Sequence, residues 1–292
     1  MPWLQLRTTS RLRPPTEVEN ALLDAGALSV TLEDNANQPL LEPMPGETPL
    51  WDNVRVTGLF EASIDTAAIS KRLENQLKIL PSDLHWEILE DKDWEREWMV
   101  RYQPINCGKQ LWICPSWLQP PEPDAINLLL DPGMAFGTGT HPTTLLCLQW
   151  LDSLNLSDTE IIDYGCGSGI LAIASLLLGA ETATCIDIDP LALAVTTENA
   201  RRNNIEDHRI KVGLPDASIW KPADIVIANI LAGPLTALAP LLASLTNSTG
   251  KLCLSGVMDT QADEVMSSYQ PWFDFDPIAH NEQWVRLTAS KR

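Results

Sequence analysis

The chain has no cluster of basic residues. Its 39 Asp and Glu outnumber its 20 Lys and Arg, leaving a formal net charge of −19. Phosphate backbones are held by grouped Lys and Arg, so direct nucleic-acid binding is not expected. Paired cysteine motifs are also missing. Cys107, Cys114, Cys147, Cys166, Cys185 and Cys253 include no Cys-x-x-Cys spacing, and the histidines at 85, 141, 208 and 280 are scattered. This argues against a structural zinc site, and free thiols with apolar flanks fit a reducing cytosol. Long hydrophobic runs are absent too. The longest, Ile170 to Ala180, contains Ser175 and Gly179 and is too short to span a bilayer. The opening Met1-Pro2-Trp3-Leu4-Gln5-Leu6-Arg7 lacks the apolar core of a signal peptide. No internal repeat or low-complexity tract occurs. These absences lead to the expectation of a soluble, cytoplasmic, monomeric protein that needs no metal.

What is present suffices for a folded enzyme. Hydrophobic residues make up 45% of 292, enough to bury a core in one large domain or two ordinary ones. The acidic balance fits either plain solubility or a field that draws a basic substrate.

Residues 1–90 read as strand, helix, strand, strand, helix, strand. Segments 3–8, 27–34, 54–60 and 84–90 alternate apolar and polar residues. Val18, Leu22 and Ala25 share one helical face, stopped at Gly26. Ile69, Leu73, Leu77 and Leu80 share another, with Asp65 placed to cap it. A Pro-rich loop follows Leu41. This order predicts a ferredoxin-like α+β domain with no catalytic constellation, whose default role is recognition. Residues 91–104 are dense in charge, with Trp94 and Trp98 four apart, and predict a helical linker ended by Pro104.

From 105 to 292 the pattern changes. Apolar runs at 160–164, 182–188, 209–214, 224–230 and 251–257 alternate with helical stretches near 169–179, 190–203 and 234–245. That alternation predicts an α/β sheet, mostly parallel, with helices on both faces. The closing runs 277–283 and 284–290 suit an antiparallel hairpin.

Within this domain Glu160-Ile-Ile-Asp163-Tyr164-Gly165-Cys166-Gly167-Ser168-Gly169-Ile170 places a glycine-rich turn between a strand and an apolar helix. Gly165 and Gly167 let backbone approach a ligand at the carboxyl end of a strand, where open α/β sheets bind. Ile170 occupies the sixth place of a dinucleotide fingerprint, where Gly or Ala is needed, which counts against a nicotinamide oxidoreductase. Asp187 ends the next strand and can accept both hydroxyls of a ribose. Asp189, just before Pro190, suits a helix cap.

DYGCGSG, CIDIDP and ANIL resemble motifs of class I S-adenosylmethionine methyltransferases. DPGMAFGTGTHPTT (131–144), with DKDWEREW and LWICPSW before it, is similar to the ribosomal protein L11 methyltransferase family. The likeness covers nearly the whole chain, more loosely over residues 1–90. It implies a Rossmann-like catalytic domain, S-adenosyl-L-methionine as cofactor, and cofactor contacts at Thr144, Gly165, Asp187 and Asn229, with Gly167 in the same turn. It also implies methylation of the N-terminal amine and lysine side chains of the ribosomal protein, each to the trimethyl state. Asn229 then binds the methionine end of the cofactor or holds the target amine. His141 is expected to orient the turn before Pro142. The run Asn229-Ile230-Leu231-Ala232 lacks the prolines that shape a flat slot for a base or amide, which disfavours those substrates.

Overall fold

The computed structural model describes residues 3–10, 13–36, 38, 48–89, 102–131, 139–216 and 220–292. The Pro-rich loop at 41–47, nearly all of the expected linker helix (91–101) and most of the loop before Thr144 (132–138) lie outside the described residues. The chain divides into two compact units, Met1–Met99 and Val100–Arg292.

The first unit is a four-stranded antiparallel sheet with two helices. Strands β1 (Trp3–Thr9), β2 (Ser29–Asp34), β3 (Val54–Glu61) and β4 (His85–Leu89) lie in the order β2-β3-β1-β4. Helices α1 (Pro15–Asp24) and α2 (Thr66–Leu77) connect them, giving the split βαβ arrangement expected from the element order. Period-two alternation puts Leu6 of β1 and Val54, Val56 and Phe60 of β3 on one face. There they meet Val18, Ala21 and Leu22 of α1 and Leu73 and Leu77 of α2. Asp65 caps α2 as expected, accepting from the Ala67 and Ala68 amides at 3.0 and 3.1 Å.

The second unit opens with a small three-stranded sheet of β5 (Ile105–Asn106), β6 (Leu111–Cys114) and β7 (Ile126–Leu129). Helix α3 (Pro142–Asp152) follows. The large sheet comprises β8 (Glu160–Tyr164), β9 (Thr182–Ile186), β10 (Ile210–Gly213), β11 (Ala223–Asn229), β12 (Thr246–Met258), β13 (Phe273–Phe275), β14 (Ala279–Asn281) and β15 (Trp284–Lys291). Its spatial order is β10-β9-β8-β11-β12-β15-β13, with β14 paired to β15. The first five strands of that order run parallel, and β15 is antiparallel to β12, β13 and β14.

Both faces of this sheet are covered, by α4 (Ile170–Leu177), α5 (Pro190–Arg202), α6 (Ala232–Leu245) and α7 (Ala262–Tyr269) together with α3. That is why its central strands are continuous apolar runs rather than alternating ones. Ile161 and Ile227 face a core shared with Cys147, Leu151, Ile173 and Ala200. Ile162 and Val226 face a second core with Leu235, Leu242 and Tyr269. Among the described residues no helix is long and apolar enough to cross a membrane.

Candidate functional site

Strand order in the large sheet reverses between β8 and β11. A crevice opens there at the carboxyl ends of the strands, where open α/β sheets hold ligands. A cavity of about 660 Å³ occupies this place, and Gly165, Gly167, Asp187 and Asn229 all line it.

The turn after β8 is held from both sides. The Gly165 and Cys166 amides donate to the Ile186 carbonyl at 2.7 and 3.1 Å. From α5, Thr196 Oγ1 donates to the Gly167 carbonyl at 3.0 Å and Asn199 Nδ2 to the Ser168 carbonyl at 2.9 Å. Gly165 has φ +76°, and a Cβ there would lie 2.3 Å from Ile230 Cγ2. A side chain at this position is therefore excluded twice, by conformation and by space.

Asp187 directly follows β9 and is partly exposed. Its Oδ2 accepts from the Gly167 amide at 2.9 Å and its Oδ1 from the Asp189 amide at 3.0 Å. Each carboxylate oxygen keeps a further lone pair for a ligand hydroxyl. Asp189 caps α5 as expected, accepting from the Leu191 amide at 2.9 Å. Ile188 stands between them at 82% exposure, an apolar side chain held at the cavity rim.

Asn229, the last residue of β11, donates from Nδ2 to Thr144 Oγ1 at 3.3 Å. Its Oδ1 is buried and, among the described residues, has no hydrogen-bond partner. Thr144 itself is fully buried on α3 and does not line the cavity; its neighbour Thr143 does. The side chains of two expected site residues, Thr144 and Asn229, are thus brought together.

His141 caps α3 as expected. Its Nδ1 lies 2.7 Å from Thr143 Oγ1 and accepts from the Thr143 amide at 3.4 Å. Burial lowers its pKa, against a smaller opposing pull from Glu282. Its ring meets Trp284 edge-on, centroids 4.9 Å apart. Among the described residues no group of His, Cys, Asp and Glu is arranged to hold a metal ion.

Sequence reading did not single out Tyr164, Ile188, Leu231, Pro234, Gly256 or Trp284 as lining residues. Gly256 was findable in principle. It follows Ser255, which pairs with Asn229, so it sits at the same strand ends. Trp284 arrives from the last hairpin and carries no local signal.

Asp163, beneath the turn, is 1% exposed. Burial pushes its carboxyl up to about 7, the Ala172 amide opposes this from 3.2 Å, and Asp187 adds to the rise. Its Oδ1 has no partner among the described residues. A folded pKa raised from 3.8 to about 7 means that stability is greatest below the unfolded value and is lost as pH rises toward the folded one. The loss is on the order of 4 kcal/mol across that window. Asp163→Asn should therefore gain on the native protein as pH rises from 5 to 8. Thermal melts at several pH values check this, and a constant gap between the two proteins would contradict it.

Leaving β14 aside and counting from β8, the strand order is 3-2-1-4-5-7-6 with the seventh strand antiparallel. With a glycine-rich turn after the first strand and an acid after the second, this is the fold of a class I methyltransferase. The sequence profile of the ribosomal protein L11 methyltransferase (PrmA) family matches residues 2–292, and the chain belongs to that family. The chain is 60% identical over 291 residues to the ribosomal protein L11 methyltransferase of Cellvibrio japonicus, covering 100% of this chain and 99% of that one. It is 54% identical over 294 residues to that of Teredinibacter turnerae, covering 100% and 98%. The crystal structure of the ribosomal protein L11 methylase from Lactobacillus delbrueckii subsp. bulgaricus superimposes with a TM-score of 0.60 at 33% identity, over 65% of this chain and 100% of that one.

Proposed function

We propose that this protein transfers methyl groups from S-adenosyl-L-methionine to amino groups of ribosomal protein L11, the N-terminal amine and lysine side chains. The observation that carries the reading is the cavity in which the glycine turn, Asp187 and Asn229 converge, the Asn229 Oδ1 being without a partner among the described residues. The residues fit the cofactor. Asp187 would accept from the ribose hydroxyls, Ile188 would cover the base, and Gly165 and Gly167 would admit the methionine part. When bound, the cofactor supplies a methyl on a sulfonium, whose departure as a neutral thioether needs no acid.

The protein's task is then alignment and control of water. A lysine ammonium, with an ordinary pKa of about 10.4, must lose its proton before it can attack. Ile188, Ile230, Leu231, Pro234, Leu238 and Trp284 make the walls mostly apolar, which disfavours the charged form. His141 is ill placed as the base, because its Nδ1 already accepts from Thr143. Asn229 Oδ1 offers an acceptor for an amine N–H, which leaves the amine lone pair free.

The first unit, residues 1–90 in the sequence reading, takes the role of recognising the ribosomal protein and holds no chemistry. Incubating the protein with S-adenosyl-L-methionine and ribosomal protein L11 should add methyl groups, read by mass spectrometry and located at amines. A fragment of residues 100–292 should still bind the cofactor by calorimetry but methylate L11 far more slowly. Methylation at oxygen or on RNA instead of amines would overturn the chemistry, and a fully active fragment would overturn the recognition role.

A further inference from the structure

The first unit contains a cavity of about 310 Å³ that the cofactor site does not use. The end of β1, the start of α1 and the chain leaving α2 form its walls. Period-two alternation points Thr8 to the same side of β1 as the buried Leu6. Thr8 is 2% exposed and lines the cavity, and its Oγ1 has no partner among the described residues. A buried hydroxyl left unpaired is costly, and one in a cavity wall calls for a polar occupant. Two cations stand at the same cavity. Lys78 closes α2 in the left-handed conformation, φ 56°, which is usually left to glycine. Its ammonium has no partner among the described residues. Arg13 gives Nε to the Leu77 carbonyl at 3.1 Å and Nη1 to Glu17 at 3.3 Å, which fixes the guanidinium and leaves Nη2 to donate. Asp83 also lines the cavity, but its Oδ2 accepts from the Leu80 amide at 2.9 Å. Leu80 stands at the rim, 66% exposed.

We infer that this cavity receives an acidic side chain of ribosomal protein L11, whose carboxylate accepts from Lys78, Arg13 and Thr8. A carboxylate is acceptor-only and takes several donors at once, which is what the three side chains offer. The net charge of −19 repels free anions, so the ligand must bring contacts of its own. Leu80 supplies them: its exposed side chain gives an apolar area that a protein surface buries and a small anion does not. The inference rests on the proposed methylation of L11 and on the recognition role of the first unit, and adds to them a chemical anchor. In an acidic chain facing a basic substrate, such a site sets register rather than bulk attraction.

The full-length protein is assayed with S-adenosyl-L-methionine and ribosomal protein L11. Lys78→Gln should raise KM for L11 about tenfold, the order expected for one lost charge-assisted hydrogen bond. Lys78→Glu sets a second carboxylate beside Asp83 and should raise KM about a hundredfold. Thr8→Val should raise KM about threefold while the melting temperature stays level or rises, because the hydroxyl has no partner in the free protein to lose. In all three variants kcat and cofactor affinity should stay within about twofold of native, since only binding of the protein substrate is touched. Exposed Asp and Glu residues of L11 are then changed to Lys one at a time, and one of these variants should recover most of the KM lost in Lys78→Glu. Any of three results would overturn the inference: KM unmoved in the Lys78 variants, kcat and cofactor affinity falling in step with KM, or no L11 variant that rescues Lys78→Glu. Acetate bound at the cavity with KM for L11 unmoved would assign it to a free anion and overturn it as well. Native protein that binds the cofactor but leaves L11 unmethylated would instead overturn the underlying function, whatever the variants do.

Discussion

Asp187→Ala should lower the affinity for S-adenosyl-L-methionine by at least two orders of magnitude. Two hydrogen bonds from ribose hydroxyls to a carboxylate each contribute on the order of 1.5–3 kcal/mol, and about 1.4 kcal/mol is a factor of ten. The structure adds a second route to the same loss. Asp187 also holds the Gly167 amide at 2.9 Å and the Asp189 amide at 3.0 Å, so its removal loosens the glycine turn that shapes the cavity. Some stability goes with these two bonds, about 1 kcal/mol each. Asp189→Ala should differ in kind. Its carboxylate caps α5 through the Leu191 amide and is exposed, so its loss costs about 1 kcal/mol of stability and little affinity. Calorimetric titration and thermal melting of both variants distinguish the acids. Abolished binding in Asp189→Ala with binding intact in Asp187→Ala would invert the assignment.

The capping role of Asp189 and the strand-end place of Asp187 were legible before any coordinates because both signals are local. A helix cap is a matter of residue type one place before Pro190, and a strand-end acid is a matter of counting from an apolar run. The parallel sheet and its helices were legible for the same reason. The strands at 160–164 and 182–186 coincide with their apolar runs to within two residues. The short strands β5 to β7 and the helix α7 were not read. Strands of two to four residues are too brief for a period to show, and the eight residues of α7 give barely two turns. The cavity walls were harder still. Trp284 meets His141 across more than a hundred residues, and Thr144 meets Asn229 across 85. Such pairings depend on which strand lies beside which, and only the sheet order supplies that. Thr144 shows the limit well. Sequence placed it at the site, but only the packing shows that its hydroxyl meets the Asn229 side chain.

Gly256→Ala should be strongly damaging in the second unit, although no motif points to it. Gly256 has φ +81°, and a Cβ there would fall 2.2 Å from the Ile230 carbonyl oxygen and 2.7 Å from its carbonyl carbon. Both obstructing atoms are backbone, so no side-chain rotation relieves the overlap. The backbone that must give way follows directly on Asn229, whose Oδ1 has no partner among the described residues. Displacing it moves the acceptor as well as the wall. Left-handed φ alone costs an L-residue roughly 1–2 kcal/mol. The overlap brings the total to roughly 2–4 kcal/mol, in the range of severe single substitutions. Gly179 provides the control. It has φ +112° with nothing within 4 Å of a built Cβ, so Gly179→Ala meets the conformational cost without the collision. Thermal melting should rank Gly256→Ala well below Gly179→Ala. Cofactor affinity should fall at least tenfold in the former, about 1.4 kcal/mol or more, and stay level in the latter. Equal melting temperatures and equal affinities for the two variants would mean that the β12 end yields freely, and that the Ile230 backbone does not define the cavity wall.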